Sequence, residues 1–146
     1  MTQTIERIAI GDLTPWAKNA RTHSRKQLKQ IAASIESFGF TNPVLIDREN
    51  RILAGHGRVE AARMLTMTEV PCLRIEHMSQ SEKRAYVIAD NKLALNAGWD
   101  DDILAEELRA LLAEPELGFD IGAIGFEVAE LDTLIEGLTP EEPGDP

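Results

Sequence analysis

Gly55-His56-Gly57-Arg58 lies where a short apolar run, Ile52-Leu53-Ala54, gives way to the Ala-rich stretch Val59-Glu60-Ala61-Ala62. A strand that passes through glycines into a helix leaves the first helical N–H groups without intrahelical acceptors, and such groups bind anions. Arg58 is spaced to fork onto the same anion, because a guanidinium beside free amides matches a phosphate in charge and shape. The chemistry suited to Gly55, Gly57 and Arg58 is therefore phosphate binding. The competing reading is a plain chain reversal with Arg58 in solvent, since Gly-x-Gly turns alone have little specificity. His56 is neutral or charged according to its partner, and either bonds a phosphate or orients water. Asp90-Asn91-Lys92 interrupts the otherwise apolar run from Tyr86 to Leu95 and requires either a partner or a wet helix face. Arg21 and His23, at the end of a loop that begins near Leu13, could also meet a ligand.

The elements that position these groups follow from pattern. Ile5, Ile8 and Ile10 predict a strand closed by Gly11-Asp12. Ser24 and Gln27 have the spacing of a capping box and Gly39 supplies a stop, which predicts a helix with Leu28, Ile31, Ile35 and Phe38 facing the core. Arg25, Lys26 and Lys29 crowd its first turn, where positive charge opposes the helix dipole; a solvated basic face is expected there rather than an acidic partner. Val44-Leu45-Ile46 and Ile52-Leu53-Ala54 read as strands joined by a turn at Asn50-Arg51. A helix is expected over 58–67, with Val59, Ala62, Met64 and Leu65 inward. Val70 to Glu76 reads as a strand whose Pro71 suits an edge or first position. Cys72 within it reads as a small buried hydrophobe. Ser79 and Glu82 form a second capping box that opens the helix carrying Asp90. Beyond Gly98-Trp99, Asp100 caps a helix to about Ala113, and a short helix is expected over 126–135. Residues 137–146 have the composition of a linker or disordered tail.

The 146 residues carry a net charge of −10, but unevenly. Residues 1–99 hold 14 Lys and Arg against 10 Asp and Glu, whereas residues 100–146 hold 1 against 15. A polyanion contact therefore falls to the first part. One cysteine excludes an internal disulfide and a cysteine-rich metal cluster. No run is apolar enough to span a membrane and the N-terminus lacks an export signal, so a cytoplasmic location is expected.

The motifs in order, Ser34-Ile35-x-x-x-Gly39, Asn42-Pro43-Val44-Leu45-Ile46, Leu53-Ala54-Gly55-His56-Gly57-Arg58-x-x-Ala61-Ala62 and Val70-Pro71, resemble the N-terminal domain of ParB partition proteins, over about residues 5–96. That resemblance implies an α/β (α+β) fold of the ParB/sulfiredoxin type: a small mixed sheet with flanking helices, here followed by a short acidic helical C-terminal section. It divides the chain into a nucleotide-binding domain (1–99), an acidic helical extension (100–136) and a tail (137–146). It implies a nucleoside triphosphate, CTP or ATP, with Mg2+. Gly55, His56, Gly57 and Arg58 would hold phosphates with Arg21, Thr41 and Asn42 would line the nucleoside end, and Asp90 and Asn91 would stand near the metal. His56 and Asp90 are the catalytic candidates if the triphosphate is slowly hydrolysed.

Asn19-Ala20-Arg21-Thr22-His23-Ser24 and Tyr86-Val87-Ile88-Ala89-Asp90-Asn91-Lys92 further resemble ParB-type domains at the N-terminus of phage DNA methyltransferases, which implies a regulatory or DNA-associated module of a DNA-modification protein. The chain stops in a Pro- and Glu-rich stretch like the linker before such a methylase. The implied partners are a nucleotide, DNA reached through the basic part or a fused domain, and a second copy of the chain as a homodimer, with no membrane. Three departures matter. One Arg follows Gly57 where ParB proteins usually carry two, and Cys72 lies outside the phosphate loop that holds sulfiredoxin's reactive cysteine. The acidic residues 100–146 are also not expected to form the basic helix-turn-helix that follows this domain in ParB. The alternative functions are a metal-dependent DNA nuclease, for which Asp90 and Glu60 are the carboxylates near the loop, and a non-catalytic recognition or dimerisation module.

Overall fold

The computed structural model describes residues 4–19 and 21–138. Four strands, β1 (Ile5–Ala9), β2 (Val44–Ile46), β3 (Ile52–Ala54) and β4 (Glu69–Arg74), form one mixed sheet in the order β1-β4-β2-β3. β1 and β4 run antiparallel, β4 and β2 parallel, and β2 and β3 antiparallel. Five helices accompany the sheet: α1 (Arg25–Phe38), α2 (His56–Met64), α3 (Gln80–Asn96), α4 (Asp101–Leu112) and α5 (Val128–Leu138). This is the mixed architecture expected from the sequence.

Both capping boxes form. Ser24 Oγ accepts the Gln27 N–H while Gln27 returns to the Ser24 N–H, and Ser79 and Glu82 do the same for α3. The β2–β3 turn has Asn50 at φ 62°, a left-handed position that asparagine tolerates.

Several local readings change. β4 lies inside the sheet rather than at its edge. Its Pro71 is tolerated because β2 begins pairing one residue later, Val44 with Cys72, so that ladder does not need the missing N–H. Cys72 is fully buried, as expected. The apolar face of α1 is not core: Leu28, Ile31 and Ile35 are half-buried, Phe38 is exposed, and Ala32 alone is buried. Helix α2 starts at His56 and ends at Met64, so Gly57 stands within its first turn. Gly137 and Leu138 belong to α5; the rest of the expected tail lies outside the described residues.

Two apolar clusters hold the sheet. One gathers Ile10, Leu13, Val44, Ile46, Ile52, Val59, Ala62, Val70 and Cys72 between the sheet and α2. The other joins Trp16, Leu53, Ile75 and Val87, and brings α3 and the loop after β1 together beside β3. The C-terminal section packs on α1, where Phe38 meets Phe119 with ring centroids 5.1 Å apart and Gln30 donates to the Gly125 carbonyl. Lys26 pairs with Glu127. An acidic partner therefore does face the basic first turn of α1, although Arg25 and Lys29 stay exposed.

Candidate functional site

Gly55 caps α2 at φ 106°, ψ 18°, a left-handed conformation that a side chain would strain. A Cβ there would also lie 3.1 Å from Arg58 Nη2 and 3.3 Å from the Val44 Cα. The chain therefore turns sharply enough for Arg58 to fold back over its own cap. The N–H groups of His56, Gly57 and Arg58 find no acceptor among the described residues, and the first bond of the helix is Val59 N–H to the Gly55 carbonyl at 3.0 Å. Gly57 serves another purpose: a Cβ on it would meet the His23 ring at 3.0 Å and Ile31 Cδ1 at 3.1 Å. Its bare backbone is the surface on which the loop and α1 close.

These residues line a polar cavity of about 130 Å³ whose walls include Asn19, Arg21, His23, Gly55, His56, Gly57, Arg58, Asp90 and Asn91. Three elements distant in sequence thus converge: the end of the loop before α1, the β3–α2 turn, and the middle of α3. Thr41 and Asn42 do not line this cavity; they are exposed, next to Pro43, whose carbonyl accepts Arg58 Nη2 at 3.1 Å. Glu60 lines an adjoining cavity of about 220 Å³ and is ion-paired with Arg63.

The electrostatics favour an anion. Arg58 is turned inward; among the described residues its buried Nε has no partner, and the Pro43 carbonyl accepts from its Nη2. Burial presses its pKa down from the usual arginine value, while the nearby Asp90 and Tyr86 oppose that. Arg21 makes no side-chain ion pair or hydrogen bond among the described residues; its N–H donates to Asn19 Oδ1 at 3.2 Å.

One ring nitrogen of His56 is taken up by the protein itself. Its Nε2 accepts the Trp16 N–H at 3.0 Å, so the neutral ring carries its proton on Nδ1. Burial lowers its pKa, the neighbouring His23 lowers it further, and Glu60 partly offsets both. The imidazole clips the loop to the start of α2, and the nitrogen that a base would use is occupied.

Asp90 is exposed and lies 3.4 Å from the Tyr86 hydroxyl; burial, together with Asp90, raises the Tyr86 pKa. Asn91 Nδ2 donates to the Val87 carbonyl at 2.9 Å, which leaves its Oδ1 free to accept. Among the described residues no three His, Cys, Asp or Glu side chains gather as a metal site. One carboxylate and one amide oxygen do fit Mg2+ that takes its other ligands from phosphate and water. Asn19 as a wall and Tyr86 as a neighbour of Arg58 were not legible from local pattern, although Tyr86 stands one helical turn before Asp90.

A family model for the ParB N-terminal domain matches residues 1–92. The chain belongs to that family. A second model, the ParB-methyltransferase helix-turn-helix domain, matches residues 102–146. Against the expectation drawn from charge, the acidic section is thus similar to a helix-turn-helix domain, and α4 and α5 fall in the matched stretch. The ParB-like nuclease domain-containing protein YnaK of Escherichia coli (strain K12) is 51% identical over 75 residues, which span 51% of this chain and 86% of that protein. The nucleoid occlusion protein of Bacillus licheniformis is 27% identical over 95 residues, 61% of this chain but a third (33%) of that relative's length. The C-terminally truncated chromosome-partitioning protein ParB from Caulobacter crescentus, solved with CTP-gamma-S, superimposes with a TM-score of 0.77 at 19% identity, over 95% of this chain and 81% of that one. At that identity the likeness establishes the fold. Among the described residues no helix is long and apolar enough to cross a membrane.

Proposed function

We propose that this ParB-type domain binds a nucleoside triphosphate, with its phosphates at the β3–α2 turn. The observation that carries this reading is Arg58: a half-buried cation whose Nε is buried and without a partner among the described residues, beside three N–H groups that lack acceptors among them. A guanidinium donor buried without an acceptor is costly, and a phosphate would supply acceptors for it and for the free N–H groups. Gly55 and Gly57 let the chain make the turn, and Arg21 adds a second guanidinium to the same cavity. Thr41 and Asn42, next to Pro43, would face the nucleoside end. Mg2+, when bound, would neutralise charge on the phosphates. Asp90 and the free Oδ1 of Asn91 are the residues placed to hold it.

The relative solved with CTP-gamma-S supports a nucleotide as the ligand, and CTP is the first candidate. With His56 Nε2 engaged by Trp16, any hydrolysis would be slow and would fall to Asp90. The nucleotide-binding module would occupy 1–99 and the acidic helical section would follow from 100, the two acting as the regulatory, DNA-associated part of a cytoplasmic DNA-modification protein and pairing as a homodimer. The nuclease alternative has less support, because Glu60 is committed to Arg63 in a neighbouring cavity and leaves Asp90 as the carboxylate lining the site.

The test is equilibrium binding of CMP, CDP, CTP and ATP, with Mg2+ and with EDTA. Affinity should rise from mono- to triphosphate by about tenfold or more, the gain of one charge-assisted contact. Equal affinity along the series, or none, would remove the phosphate site.

A further inference from the structure

Asp47 is 1% exposed, and Lys83, from the first turn of α3, is 9% exposed. Lys83 Nζ bonds Asp47 Oδ2 at 3.1 Å, and Arg51 Nε bonds the same oxygen at 2.9 Å. Oδ1 accepts the N–H groups of Glu49 and Arg51, so the carboxylate is fixed from four directions. Lysine is seldom buried unless paired, and this one cannot leave Asp47 without stranding a charge on each side.

The placement of Lys83 gives the contact a purpose beyond stability. The residues that α3 buries are Lys83 and Val87, and Asp90 and Asn91 continue the same stripe one turn further on. Beyond them the helix is exposed on all sides, Leu93 and Leu95 included. Val87 sits in an apolar cluster, and apolar contact is non-directional. The hydrogen-bonded ammonium is the directional restraint on how α3 is rotated. The opposite wall reaches the same carboxylate: the Arg51 guanidinium lies 5.3 Å from the centre of the Trp16 ring, and Trp16 N–H bonds His56.

We propose that Asp47 and Lys83 are positioning residues for the site, their buried contact holding α3 so that Asp90 and Asn91 face the Gly55–Arg58 turn. The proposal rests on the phosphate-site reading for its ligand, but its geometry is testable without one. In amide hydrogen exchange of the full chain, Lys83→Met should speed exchange around Val87 to Asn91 by about tenfold or more, while β2 and β4 stay protected and Lys83→Arg restores the slow rate. Titrated with Mg–CTP, Lys83→Met should weaken binding by about tenfold, and adding it to Asp90→Ala should cost nothing further. With EDTA the Lys83→Met loss should vanish, since the phosphate groups lie on α2. If Lys83→Met does not melt cooperatively, Lys83→Gln, which keeps a donor without charge, takes its place. Unchanged exchange around Val87, or additive losses with Asp90→Ala, would overturn the proposal. A wild-type chain that binds no nucleotide would instead defeat the ligand reading, and the exchange result would still decide the anchor.

Discussion

Gly55 and Gly57, two residues apart, are required for different reasons, and substitution should separate them. Gly55→Ala forces a side chain into left-handed backbone and against Arg58, costing about 1–2 kcal/mol in denaturant unfolding and weakening phosphate binding as well. Gly57→Ala keeps helical backbone but drives a methyl into His23 and Ile31, an overpacking cost of about 1–3 kcal/mol. His56 gives a pH signature. Its pKa is lowered in the folded chain, so its contribution is complete above the unfolded value near 6.5 and is lost as pH falls from there through the lower folded value. Thermal stability should therefore decline on acidification below about pH 6.5. In His56→Gln, whose side-chain oxygen can accept the Trp16 N–H without titrating, that part of the decline should disappear; an identical decline in the variant would contradict the clip.

At the scale of elements, Asp47 joins the β2–β3 turn to α3. Burial alone would raise its pKa, but the Arg51 N–H, the Lys83 bond and the two cationic charges outweigh it and leave the carboxyl below its ordinary value. A depressed carboxyl stabilises the fold above about pH 3.8, and that stabilisation is lost as pH falls through the folded value. Asp47→Asn, which strands Lys83, should cost about 3–5 kcal/mol at neutral pH and progressively less in acid, by urea unfolding at several pH values. A pH-independent difference would contradict the pairing. The elements themselves were legible where the signal is local: both capping boxes and the Asn50 turn. What the sequence hid is long-range. Lys83 finds Asp47 across 36 positions, and periodicity cannot show that pairing. Pro71 suited an edge or a first position because nothing local reveals that β2 pairs only beyond it. The strand–glycine–helix turn was legible as a pattern, whereas the occupied Nε2 of His56 depends on a loop forty residues earlier.

On the scale of the whole chain, the charge division maps onto structure: the acidic section packs against α1, whose first turn is basic. Charge alone did not show that this section is similar to the ParB-methyltransferase helix-turn-helix domain, whose model matches residues 102–146. Its attachment includes an apolar contact: Phe38 reads as core in the sequence but instead meets Phe119. Lys26→Ala should thus shift stability by less than about 1 kcal/mol, as exposed ion pairs do, and Phe119→Ala should shift it more. Similar effects in denaturant unfolding would mean that charge holds the section. The central claim is that the turn at Gly55 is an anion site with Arg58 as its cation, and isothermal titration of Mg–CTP into the wild-type chain and Arg58→Ala tests it most directly. Saturable binding by the wild type, weakened about 10- to 100-fold or lost in a variant that melts cooperatively, is the predicted result. Equal binding by the two chains would contradict it.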